Sequence, residues 1–266
     1  MNKTNLENNP QLATSSGIDL VLDPVDSVLI TIPARSGSKR LLSKNTLRLC
    51  GKPLFYHTLK AALEAGITSE IYVLSDSTKT LALAKRYGAK PFLLPPALAD
   101  DTTGVVKASL YLVEELERKG RHFHNLICLQ PTSPLRRAQD VRQSYSEFKQ
   151  KEVDTLVSVS EVDPHYFHWA VESSSHEKFA KLYFGEKFLK PRQELPPMYF
   201  PNGAVKIAKI NVLKNQQHFF GKKMAVYIMP QEQSIHISTR VDFDLCSLLM
   251  KKEKNKDLHR EAKAKL

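Results

Sequence analysis

An apolar run, Val28-Leu29-Ile30-Thr31-Ile32, breaks at Pro33-Ala34 into a short loop carrying Arg35, Ser36, Gly37, Ser38, Lys39 and Arg40, with Lys44-Asn45 just beyond. No other stretch constrains the fold as much. A buried strand ending in such a loop brings backbone N–H groups and cations to one place, and strand ends are where open α/β sheets take their ligands. The spacing is not the G-x-x-x-x-G-K-S/T of a Walker A loop, and it lacks the G-x-G-x-x-G of a dinucleotide site. The loop points to phosphate, without the marks of an ATPase or a dehydrogenase.

The chain keeps the rhythm that this strand begins. Residues 53–65 read as a helix closed by Gly66, 71–74 as a strand stopping at Ser75-Asp76, and 78–87 as a helix capped by Gly88. A helix over 103–119 ends at Gly120, and a strand at 126–129 leads into the loop Gln130-Pro131-Thr132-Ser133-Pro134-Leu135-Arg136. Residues 141–148 follow as helix and 156–159 as strand. Short apolar strands alternating with amphipathic helices predict an α/β fold, a mostly parallel sheet covered on both faces. Residues 161–201 leave that rhythm. They are rich in Pro, aromatics and charge, predict hairpin strands at 179–184 and 187–189, and read as an inserted lid or dimerisation segment. Residues 202–208 return to the core, 225–228 and 235–237 supply the last strand candidates, and 242–250 begin the last helix.

Three domain-level divisions follow: a flexible N-terminal extension at 1–26, one core domain at 27–250, and a basic tail or helix at 251–266. At 266 residues and 42% hydrophobic content the chain can form a single core. The three cysteines form no CxxC pair, which predicts buried thiols in a reducing, cytoplasmic setting. No run of 18 apolar residues exists to span a membrane, and residues 1–26 lack the basic start and apolar core of a signal peptide. The net charge is +11, of which the last sixteen residues supply +4 from seven Lys or Arg against three acids. The rest is scattered, without aromatic interleaving, so a small anionic substrate is expected and a nucleic-acid partner is not.

A set of motifs makes a family resemblance specific. They are Ile32-Pro33-Ala34-Arg35-Ser36-Gly37-Ser38-Lys39 with Lys44-Asn45, then Leu98-Ala99-Asp100-Asp101-Thr102, then Leu129-Gln130-Pro131-Thr132-Ser133-Pro134-Leu135-Arg136. Pro191-Arg192-Gln193-Glu194-Leu195-Pro196-Pro197, Asn202-Gly203-Ala204 and Tyr227-Ile228-Met229-Pro230 complete the series. In this order over residues 28–250 the chain resembles the N-acylneuraminate cytidylyltransferases and their bacterial nonulosonate relatives.

The resemblance implies a three-layer α/β nucleotidyltransferase with CTP over the first loop. Arg35 and Lys44 would act on the phosphates as the catalytic cations, with Ser38, Asn45, Asp101 and Thr102 completing the nucleotide site. A polyphosphate needs such cations and N–H donors before its α-phosphorus can accept electron density. Gln130 would meet the sugar, and Arg192 and Gln193 would reach it from the inserted segment, the arginine as a planar fork for a carboxylate. The reaction implied is transfer of CMP from CTP to a nine-carbon 2-keto sugar acid such as N-acetylneuraminate or legionaminate, in a homodimer.

The resemblance also implies Mg²⁺, with Mn²⁺ as an alternative. Family members usually carry Ile-Asp-Ile-Asp-Thr where this chain reads Ile235-His236-Ile237-Ser238-Thr239. His236 and Ser238 thus stand at the positions of the usual metal-binding aspartates, and on a strand both would project from one face. Asp101 is the surviving candidate ligand, while Asp242 reads as a helix cap. The main expectation is an active cytidylyltransferase with an altered metal site. The alternative is a weakly active or noncatalytic nucleotide- or sugar-binding homologue with a regulatory role.

Overall fold

The computed structural model describes residues 27–37, 41, 43–99, 104–173 and 179–264. The predicted N-terminal extension lies outside these residues, as do Ser38, Lys39, Arg40, Asp101, Thr102 and Thr103.

Seven strands form the central sheet: β1 (Val28–Pro33), β4 (Ile71–Ser75), β5 (Lys90–Leu93), β6 (Asn125–Cys128), β7 (Thr155–Val162), β10 (Met198–Lys209) and β11 (Met224–Ile228). Their order is β11-β7-β10-β6-β1-β4-β5. β1 runs parallel to β4 and β6, β4 to β5, and β11 to β7, while β10 lies antiparallel to both β6 and β7. Two small ribbons accompany it, β2 (Arg48–Leu49) with β3 (Lys52–Pro53), and β8 (Val171–Glu172) with β9 (Lys181–Leu182).

Strand alternation sorts the core into two layers. Val28, Ile30 and Ile32 of β1 face one side, where Phe55, Leu59 and Ala62 of α1 (Leu54–Ala65), Ala84 of α2 (Thr78–Arg86) and Val141, Tyr145 and Phe148 of α4 (Ala138–Gln150) cover them. Leu29, Leu74, Leu126 and Cys128 face the other side, against Leu112, Val113 and Leu116 of α3 (Val105–Glu117) and Leu213 of α6 (Ile210–Gln216). Helix, sheet and helix make the three layers. A third apolar cluster, Leu49, Leu54, Leu135, Ile237, Phe243 and Cys246, seats the start of α7 (Arg240–Ala264).

Helix ends follow local chemistry. α1 stops at Gly66, whose φ of 65° is the left-handed turn that glycine adopts without a Cβ penalty. The Ser77 hydroxyl accepts the Thr80 amide at the start of α2. α2 closes at Tyr87, one residue before the expected Gly88. α7 runs through the division expected at residue 250.

Other differences have clear causes. Residues 235–237 form no strand: the Ile237 amide bonds the Thr132 carbonyl and its side chain is buried under α7, so the alternation records one buried isoleucine rather than a ladder. In the inserted segment β9 pairs with Val171–Glu172, and 186–188 is a 3₁₀ turn after Gly185 rather than a hairpin arm. α5 (His165–His168) opens that segment, with His165 packed on Trp169 and His168 stacked on Phe188. Cys50 sits exposed at the tip of the β2–β3 ribbon, because that turn faces solvent, whereas Cys128 and Cys246 are buried.

Candidate active site

The chain turns one way from β1 to β4 and β5, and the other way to β6, so the sheet has a switch point between β1 and β6. A crevice opens beyond the carboxyl ends of two such strands, and ligands bind there. Here it is a cavity of about 370 Å³. Arg35, Lys44 and Asn45 form one wall, Gln130 and Thr132 another, and His236 closes the end; Leu94, Leu98, Val105 and Ala108 supply an apolar side.

The loop after β1 is fastened at several points. The Ser75 hydroxyl donates to the Ala34 carbonyl at 2.8 Å. Asp76 accepts the Ser36 amide at 2.7 Å and the Ser36 hydroxyl at 2.5 Å. Burial opposes the Asp76 charge, but these Ser36 donors outweigh it and hold the carboxyl below its ordinary range. Buried Asn45 donates from Nδ2 to the Arg35 carbonyl at 2.8 Å. Arg35 reaches the Ala99 carbonyl at 3.5 Å, which draws the first sequence motif to the second.

The Gln130 loop rests on Arg136. This guanidinium is 3% exposed and donates from Nη2 to the Gln130 carbonyl at 2.8 Å and from Nε to the Ala204 carbonyl at 2.6 Å. Burial pulls its pKa down to about 10, against the nearby Asp140 charge. Asn202 ties the neighbouring strands: its Oδ1 accepts from the Ser158 hydroxyl and the Ala204 amide, and its Nδ2 donates to Ser234 Oγ at 2.9 Å. The sequence reading assigns no role to Arg136 or Asn202, although both stand in the motifs quoted. For Asn202 the signal is a polar residue at the head of the apolar return to the core.

Gly203 carries φ +71°, and a Cβ there would come within 2.5 Å of Gln130 Oε1 and 3.1 Å of His236 Nδ1. Glycine is therefore required for the approach of those two side chains. His236 Nδ1 lies 3.3 Å from Thr132 Oγ1 and 3.4 Å from Ser133 Oγ. The ring is accessible through the cavity mouth yet ringed by protein. Its desolvation and the Lys44 charge press its pKa below the usual histidine value, over an opposing hydrogen bond to the Asn202 backbone.

Five of the expected residues therefore meet in one cavity: Arg35, Lys44, Asn45, Gln130 and His236. Ser238 does not line it; its amide donates to Asp242. Arg192 and Gln193 lie outside it on an exposed 3₁₀ turn, where Arg192 pairs with Glu161 at 3.8 Å and Asp163 at 4.0 Å. The inserted segment carries them away from the sheet end within one chain.

Mg²⁺ and Mn²⁺ take hard oxygen ligands, carboxylates above all. Among the described residues no carboxylate lines the cavity, and no group of three His, Cys, Asp or Glu stands close enough to hold an ion. Asp242 is committed elsewhere, accepting the Ser238 and Thr239 amides at 2.9 and 2.7 Å as the capping acid of α7. The described residues, His236 and Ser238 included, do not fit a protein-held divalent ion.

A family model described as cytidylyltransferase matches residues 29–260. The chain belongs to the cytidylyltransferase family. It is 33% identical over 214 residues to the N-acylneuraminate cytidylyltransferase of Streptococcus agalactiae, covering 80% of this chain and 50% of that protein. The chain thus spans about half the length of these first curated relatives. It is 32% identical over 227 residues to the CMP-N,N'-diacetyllegionaminic acid synthase of Legionella pneumophila, and 30% over 227 residues to a pseudaminic acid cytidylyltransferase of Campylobacter jejuni. Those two matches cover 84% of this chain and 96% of each relative. Among solved structures, a CMP:2-keto-3-deoxy-manno-octonic acid synthetase complexed with CTP shares the fold, with a TM-score of 0.65 at 17% identity, over 86% of this chain and 100% of that one. In this member of the family, the motifs at 32–45, 98–99 and 129–136 converge on the switch-point cavity.

Proposed function

We propose that this protein transfers CMP from CTP to a nine-carbon 2-keto sugar acid such as N-acetylneuraminate or legionaminate, releasing pyrophosphate. The observation that carries this reading is the convergence of Arg35, Lys44, Asn45 and Gln130 on one cavity at the sheet switch point. The relatives, named for sialic, legionaminic and pseudaminic acids, support the substrate class. The alternative, a regulator without turnover, draws no support from relatives that carry enzyme names.

Arg35 and Lys44 engage the polyphosphate, with Ser38, Asn45, Asp101 and Thr102 completing the nucleotide site. Gln130, an amide that both donates and accepts, meets the sugar. The anomeric hydroxyl attacks the α-phosphorus in line, the bond from that phosphorus to the bridging oxygen breaks, and pyrophosphate leaves with the electron pair. The hydroxyl proton passes to solvent. Such chemistry asks the protein for alignment and for positive charge around the leaving group, which two fixed cations supply. Mg²⁺, or Mn²⁺ in its place, would supply further charge neutralisation on the triphosphate.

The working unit in this reading is a homodimer joined through the inserted segment, which exposes Trp169, Tyr183, Phe184, Tyr199 and Phe200. Arg192 and Gln193 then approach the acceptor in the assembled site. Three free cysteines and a soluble anionic substrate favour the cytoplasm. The test is pyrophosphate release with CTP and a panel of nonulosonic acids. Release that needs both CTP and an acceptor, and falls sharply in Arg35→Ala and Lys44→Ala, is expected; CTP binding with no release for any acceptor would overturn it.

A further inference from the structure

The resemblance implies two carboxylates at positions 236 and 238, and the chain has an imidazole and a hydroxyl there. His236 turns its Nδ1 edge to the Thr132 and Ser133 hydroxyls, and Gly203 packs so closely that a Cβ there would lie 3.1 Å from that nitrogen. Ser238 gives its amide to Asp242, whose Oδ2 also takes the Thr239 amide and hydroxyl. Asp242 is thus committed to starting α7.

Across the cavity Lys44 donates from Nζ to the Ile237 carbonyl at 3.1 Å, the residue between the two substituted positions. The segment that would carry an ion is therefore tied to an ammonium. A divalent cation arriving there meets a positive charge and a ring nitrogen, whereas Mg²⁺ selects oxygens and is repelled by a like charge.

We infer that residues 234–239 hold no divalent cation in this protein: the segment is an imidazole and backbone wall, and Arg35 and Lys44 meet the polyphosphate charge. The inference rests on the CTP reading proposed above. Any Mg²⁺ accompanying the nucleotide would have to draw its oxygen ligands from phosphate and water rather than from this segment. The cavity end that would otherwise be acidic then adds no repulsion against the nucleotide.

The test uses the full chain and Mn²⁺ alone, followed by its electron paramagnetic resonance signal, with wild type, His236→Ala and Ser238→Ala. The free Mn²⁺ signal is expected to be the same for all three proteins up to about 1 mM ion. Stoichiometric Mn²⁺ binding by the wild type that either substitution abolishes would overturn the inference. Binding that persists in both variants, and disappears in Asp101→Asn, leaves the segment without the ion and supports it. CTP titration calorimetry gives the second readout: affinity in EDTA is expected within about threefold of that in Mg²⁺. A metal-dependent gain above tenfold that both alanine variants lose would contradict it. Absence of CTP binding in either buffer would instead sink the CTP reading, while the Mn²⁺ measurement still decides the ion's place.

Discussion

Lys44 Nζ and the Ile237 carbonyl, 193 residues apart in sequence, are joined by a 3.1 Å hydrogen bond that closes the cavity between the first loop and the segment before α7. One ammonium thus serves two ends: it presents positive charge to the cavity and pins the backbone beside His236.

Lys44→Met removes the charge and the brace while keeping most of the stem. A charge-assisted hydrogen bond contributes about 1.5–3 kcal/mol, so CTP affinity should fall roughly ten- to hundredfold. Titration calorimetry measures this directly. An affinity within twofold of wild type would show that the nucleotide does not sit against Lys44.

Gly203→Ala tests the close approach of Gln130 and His236. The added methyl meets Gln130 Oε1, the far end of a flexible side chain, so the amide moves while the backbone carries a positive φ that costs about 1–2 kcal/mol. The acceptor KM should rise with CTP binding kept within about twofold, because the displaced group faces the sugar in the proposed reading. Equal losses for both ligands would place Gln130 on the nucleotide instead.

Arg136→Met takes the buried guanidinium from the Ala204 carbonyl and leaves the Gln130 carbonyl only the longer contacts from the Ser133 amide and the Thr58 hydroxyl. An orphaned buried group costs about 1–3 kcal/mol, so the midpoint of urea unfolding should drop clearly. Arg136→Lys should recover only part of it, since one ammonium cannot reproduce the planar fork that spans both carbonyls. A midpoint equal to wild type would mean that the loop does not depend on this side chain.

Much of this was legible in the chain. The β1 junction, the helix stop at Gly66 and the alternation of β and α all follow from apolar period and turn chemistry, and they lead to the switch point. Ile235-His236-Ile237 misleads because a two-residue period looks alike whether a ladder or one buried side chain produces it; Ile237 packs under Phe243 and Leu135, which no local pattern reveals. Arg136 escapes for a different reason. The first of two adjacent arginines after a Pro-rich loop reads as surface, and only the fold of β10 brings the Ala204 carbonyl to it. Arg192 and Gln193 sit in a motif whose place depends on the path of the inserted segment, and within one chain that path leaves the cavity.

Acid should loosen the site from two directions. Asp76 ionises more readily folded than unfolded, so its support of the Ser36 loop is present above about pH 3.8 and is lost as pH falls through its lowered folded value. His236, facing Lys44 and Lys206 with Asp242 as the one opposing charge, resists protonation when folded. Below pH 6.5 the unfolded chain binds that proton first, and stability declines as pH drops. Thermal unfolding between pH 7 and 3 should therefore show a shallower acid slope in Asp76→Asn below pH 4, and in His236→Gln as pH falls below about 6.5. Slopes identical to wild type in both variants would remove these groups from the account.

The central claim concerns which bond breaks, and CTP labelled with ³²P at the α-phosphorus follows it. Incubated with the protein and its nonulosonic acid, the label should move into a sugar nucleotide, with unlabelled pyrophosphate released in equal amount. Label recovered as CDP, as free CMP whether or not an acceptor is present, or still in CTP across the whole acceptor panel would contradict it.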